Sequence, residues 1–158
     1  MTTLPHDWTA SRWASTPNGQ LFRAWMALCL ALALHVTDEA TSGFLTVYNP
    51  TVRALRQSLP WFPLPVFTFN VWLGGLVAAI IVLLCLSLFV WRGAGWMRPL
   101  CYIFAIIMLA NGLGHTFGTI MGRTVASVRF PRPMPGFYSS PLLLLASAYL
   151  LYTLKCPE

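Results

Sequence analysis

The stretch 66–91 constrains this chain most. It carries no charged residue and one strongly polar one, Asn70, near its start. As a helix rising 1.5 Å per residue it would be about 39 Å long, more than the roughly 30 Å hydrocarbon core of a bilayer. The rest of the chain agrees. Hydrophobic residues make up 57% of its 158 residues and charged residues 9%, against about 25% charged in a soluble domain. The composition predicts a multi-pass protein of the cell membrane, folded as one compact all-α unit.

Punctuation along the sequence predicts four transmembrane helices. Residues 1–20 are polar, with Pro5, Pro17 and Gly19, and read as a tail. A first helix is expected over 21–48, stopped by Asn49-Pro50. The segment 51–65 reads as an amphipathic, then proline-rich, interfacial connector. Helices are expected over 66–91, over 99–122 with Pro99 in its first turn, and over 140–154 with Ser140 as N-cap. Residues 155–158 form a short C-terminal tail, and four spans place both termini on one side. Cleavage of a signal peptide is not expected, because no small-x-small pattern follows the apolar run 24–34. Arg12, Arg23, Arg92, Arg98 and Lys155 fall at one end of such a bundle, and Arg53, Arg56, Arg123, Arg129 and Arg132 at the other. That balance gives no orientation by the positive-inside rule. The net charge of +6 suits anionic lipid headgroups, and no basic run is dense enough for nucleic acid. Cys29, Cys85, Cys101 and Cys156 show no metal-ligand spacing and read as buried thiols or surface residues. The tryptophans mostly fall near segment ends, as in an aromatic belt, and His6 reads as a solvated residue of the tail.

Two polar groups interrupt the apolar helices. His35 is followed by Asp38 and Glu39, and offsets of three and four residues put both carboxylates on the face of the imidazole. Asn111 and His115 are one turn apart on the third helix. Counted from one side, both histidines lie about 20–25 Å along their helices. They should therefore share one layer with Asn70, Tyr138, Ser139 and Ser140. Gly114, Gly118 and Gly122 form a small-residue stripe beside His115, suited to close helix approach. Ionisable groups inside a membrane are costly and mark function.

Two imidazoles with one or two carboxylates are a usual ligand set for zinc, iron or manganese. His35, Glu39 and His115 are the expected metal ligands, with Asp38 as a further ligand, an orienting group or a general base. Asn111, Asn70, Tyr138 and Ser139 are candidate substrate-binding residues. This predicts a metal-dependent membrane enzyme, of hydrolase or isomerase type, acting on a lipophilic substrate. Without metal, His35, Asp38, Glu39 and His115 would serve as acid and base and stabilise a cationic intermediate. A third reading is a small-ligand binding or transport subunit, its polar layer completed in a homo-oligomer. A plain structural ion pair is the remaining one.

The motifs His35-Val-Thr-Asp38-Glu39, Asn111-Gly-Leu-Gly-His115 and Pro135-Gly136, in this order, resemble the HXXEE family of small bacterial membrane proteins. The likeness extends over residues 21–154. It implies a four-helix membrane fold and a site at the motif residues, but no substrate. One departure is Asp38, where the family motif has glutamate. Its carboxylate is one methylene shorter, which matters if it ligates metal directly.

Overall fold

The structure, a computed structural model, describes residues 19–155. Among the described residues there are five helices: α1 (Gly19–Ser42), α2 (Leu45–Ser58), α3 (Phe69–Trp91), α4 (Met97–Met121) and α5 (Ser140–Lys155). Between α4 and α5 lies a two-stranded antiparallel ribbon, β1 (Arg123–Val125) and β2 (Val128–Arg129). Helices α1, α3 and α4 are each long and apolar enough to cross a membrane, and α5 is a shorter apolar helix. The expected tail over residues 1–20, His6 and Cys156 lie outside the described residues, except that residues 19–20 already belong to α1.

The long first helix is corrected. It ends at Ser42, because Gly43 takes the left-handed conformation at φ +77°. The Phe44 N–H then donates to the Glu39 carbonyl at 3.0 Å, closing the last turn as a Schellman motif. Asn49-Pro50 stops nothing. Pro50 is accommodated inside α2, which replaces the first part of the expected connector. Asn49 instead ties that connector down. Its amide donates to the Phe67 carbonyl at 2.9 Å, and its carbonyl accepts from the Phe67 N–H at 3.0 Å. Gly93 at φ +66° and Gly122 at φ +66° end α3 and α4 in the same left-handed way.

Helix α1 packs on both α3 and α5, α5 packs on α4, and α1 also touches α4 directly. The core lies where α1, α4 and α5 meet, around Trp25, Leu28, Leu32, Cys101, Ala105, Leu143 and Leu150. Trp25 is therefore a core residue and not part of an interfacial belt. Its ring lies 5.2 Å from Phe104, and its indole N–H donates to the Leu83 carbonyl. Trp61, Trp91 and Trp96 are exposed. Cys29 and Cys101 are buried free thiols, whereas Cys85 is exposed on α3.

Contacts fix the helix directions. Phe22 near the start of α1 packs edge-on against Trp91 at the end of α3. Arg98 near the start of α4 donates to the Leu154 carbonyl at the end of α5. The opposite ends of α1, α4 and α5 therefore meet at the other pole, together with α2 and the ribbon. The glycine stripe is corrected in part: Gly118 and Gly122 are closely approached, but by Met134 and Arg132 of the segment before α5 rather than by a helix. A Cβ on Gly114 would meet nothing within 4 Å. Close approach between α4 and α5 occurs at Gly112, where a Cβ would come within 2.9 Å of Leu144.

Candidate metal centre

Helix spacing and the Schellman turn build the site at that pole. His35 and Glu39 are one turn apart on α1, and His115 reaches them from the last turns of α4. The two imidazole rings meet edge-on with centroids 4.7 Å apart. His35 is 0% exposed, His115 2% and Glu39 5%. His115 Nε2 lies 3.1 Å from Glu39 Oε1, and His35 Nε2 lies 3.6 Å from the same oxygen. One ligand atom from each residue falls within 4.8 Å of the others.

The hydrogen-bond partners on the far sides of the rings set the tautomers. His115 Nδ1 lies 2.6 Å from the Pro135 carbonyl. A carbonyl only accepts, so Nδ1 carries the proton and donates. His35 Nδ1 lies 2.8 Å from Ser139 Oγ, and that hydroxyl donates to Asp38 Oδ2 at 2.8 Å. With its single proton spent on the carboxylate, Ser139 can only accept from His35 Nδ1–H. In the neutral imidazoles both Nε2 lone pairs therefore point toward Glu39 Oε1. His35 Nε2 is the one buried side-chain nitrogen or oxygen among the described residues without a hydrogen-bond partner. Three possible ligand atoms converge within 4.8 Å of one another, close enough to hold a metal ion.

The donor set fits a divalent metal. Two ligand atoms about 2.0–2.2 Å from a tetrahedral zinc stand roughly 3.3–3.5 Å apart. His115 Nε2 and His35 Nε2 stand 3.1 and 3.6 Å from Glu39 Oε1, one just below and one just above that spacing. Imidazoles whose other ring nitrogen donates to a carbonyl, or through a hydroxyl to a carboxylate, are the usual support for such ligands. Asp38 is placed in this supporting role and stands outside the converging group. Its Oδ2 also accepts from the Ser139 N–H at 2.9 Å, putting a negative charge at the start of α5, where the helix dipole favours it.

Gly136 closes the site. It has φ +85°, and a Cβ there would lie 2.7 Å from His115 Cε1 and 3.0 Å from Glu39 Cγ. Phe44 forms another wall, its ring 5.5 Å from His115 and 5.8 Å from Trp72. Two cavities flank the cluster. One of about 160 Å³ is lined by Asp38, Ser42, Thr46 and the segment from Phe130 to Tyr138. The other, of about 240 Å³, is apolar and is lined by Glu39, Phe44, Phe69 and Trp72.

The remaining candidates divide. Ser139 touches both His35 and Asp38. Tyr138 is exposed at the mouth of the first cavity. Asn70 is exposed in the first turn of α3, and Asn111 is half-buried on α4. No hydrogen bond among the described residues joins either asparagine to the cluster. Ser140 does not serve as the expected cap; its hydroxyl donates to the Gly136 carbonyl at 2.7 Å. Phe44 and the Pro135 carbonyl were not singled out as site groups from sequence. The Gly43-Phe44 pair was the available signal, a left-handed helix stop followed by an apolar residue. No family model matches the sequence, and no curated protein or solved structure is significantly similar to it.

Proposed function

We propose that this chain is a multi-pass cell-membrane enzyme in which His35, Glu39 and His115 bind a divalent metal. Zinc, iron and manganese all suit two imidazoles and a carboxylate. One observation carries the reading: two buried Nε2 atoms, each with its Nδ1–H committed elsewhere, face a single carboxylate oxygen. Three protein ligands leave coordination positions open, as catalytic sites do. A metal held there would polarise a substrate oxygen or lower the pKa of water. The protein's part is to fix the ligands, through Ser139 and Asp38 behind His35 and the Pro135 carbonyl behind His115. Asp38, at the edge of the 160 Å³ cavity, is the available proton acceptor beside the cluster.

A lipophilic substrate, hydrolysed or isomerised, is supported by the apolar cavity onto which Glu39 opens. Four spans, with α5 as the short fourth and with the start of α1 and the end of α5 on one side, would place the site within the leaflet near α2 and the ribbon. Kinship with the HXXEE family belongs to the same proposal, supported by His35, Asp38, Glu39, His115 and Gly136 gathering in one place.

A second reading has one observation in its favour. A protonated His115 would donate from Nε2 to Glu39 across the 3.1 Å gap without any metal. That ion pair satisfies one histidine and leaves His35 Nε2 aimed at the same oxygen unpaired. Metal analysis by mass spectrometry on the purified protein decides between them. Wild type and Asn70→Ala should carry near-stoichiometric metal, and His35→Ala and His115→Ala should lose it. Equal metal content in all four would reject the site.

A further inference from the structure

The ribbon after α4 places Arg123 opposite Arg129 in cross-strand register. Like charges directly opposite on one face of an antiparallel pair are destabilising. Arg132 joins them, its guanidinium lying over Gly122, where a Cβ would come within 2.9 Å of Nε. All three line one open cavity of about 440 Å³, with Met121, Gly122 and Phe130. None has a salt bridge among the described residues. The protein offers little to neutralise them. Only four acidic residues exist, and the two that are described, Asp38 and Glu39, are committed to Ser139 and to the histidine cluster. The carbonyl end of α4 favours one nearby cation, Arg132. Arg123 and Arg129 are left facing each other over a shared cavity, with no counter-charge beside them among the described residues.

We propose that Arg123, Arg129 and Arg132 form an anion site that takes a phosphate group, either free or carried by a lipid. Guanidinium forks bind phosphate oxygens in bidentate fashion, and three of them match a multiply charged oxyanion better than a single carboxylate. The site is separate from the histidine cluster and stands without it. Its wall residue Phe130 also lines the cavity beside Asp38, so an occupant would sit next to the mouth of that cavity.

Native mass spectrometry of the full chain in detergent tests this, with phosphatidic acid and diacylglycerol as paired probes that differ in the phosphate. Wild type should retain phosphatidic acid over diacylglycerol. Losing two charge-assisted contacts in Arg123→Gln/Arg129→Gln should weaken that retention about tenfold or more. Arg129→Gln alone, on an exposed two-residue strand, gives the same reading should the double variant not fold. A titration with inorganic phosphate separates the sources. Binding of the free ion, displacing the lipid, would support a site for phosphate however it is carried. Lipid retention that free phosphate does not compete away would support a headgroup site. Equal retention of both lipids by wild type, or unchanged retention in a folded arginine variant, overturns the proposal.

Discussion

Gly136→Ala is the sharpest structural test of how the metal centre is assembled. The residue sits at φ +85°, and a methyl group there would approach the His115 ring to 2.7 Å and Glu39 Cγ to 3.0 Å. Two costs add. An L-residue in the left-handed region costs about 1–2 kcal/mol. Forcing a methyl into a packed interior costs roughly 1–3 kcal/mol. Neither neighbour can yield cheaply, because His115 is held by the Pro135 carbonyl and Glu39 is anchored on α1 at the Schellman turn. The expected loss is therefore about 2–5 kcal/mol of stability, or a displaced His115 and a lower metal content. Denaturant unfolding in detergent, with metal analysis of the same samples, reads both. Gly114→Ala is the matched control. It adds the same methyl on an open helix surface and should be neutral or stabilising by up to about 1 kcal/mol. If Gly136→Ala unfolds like wild type and keeps its metal, the close packing of this turn over the two ligands is wrong.

Two further perturbations address separate parts of the account. Ser139→Ala removes the hydroxyl linking His35 Nδ1 to Asp38, and metal affinity should fall about 10–100-fold, measured by competition with a chelator; an unchanged affinity would show that His35 needs no such support. Asn49→Ala removes both side-chain bonds to the Phe67 backbone and should cost about 1–3 kcal/mol at 0.5–1.5 kcal/mol each; an unshifted urea midpoint would show that the connector is held by other contacts.

Much of the site could be read from spacing. Offsets of three and four from His35 place Asp38 and Glu39 on one face, and counting the rise along two helices brings His115 to the same depth. Depth, however, says nothing of direction around the helix axis. Asn70 was expected in the layer on depth alone, but it is exposed in the first turn of α3. The roles of the two acids were also open in sequence. They separate because Glu39 points along the cluster while Asp38 points to the start of α5, which only the packing of α1 on α5 determines. The first helix was expected to stop at Asn49-Pro50, and Gly43, where it breaks, was not considered. Pro50 lies in the second turn of α2, where it removes one i→i−4 bond without ending the helix, whereas the left-handed glycine at 43 ends α1. The supporting groups behind the histidines, a backbone carbonyl and a hydroxyl about one hundred residues away, leave no local trace in a sequence.

X-ray absorption at the edge of the bound metal tests the central claim most directly. It would use wild-type protein as purified, or loaded with zinc. The account predicts a ligand shell of two imidazole nitrogens and at least one carboxylate oxygen at about 2.0–2.2 Å if the metal is zinc. A shell containing sulfur, a shell without imidazole, or no bound metal after zinc loading would contradict it.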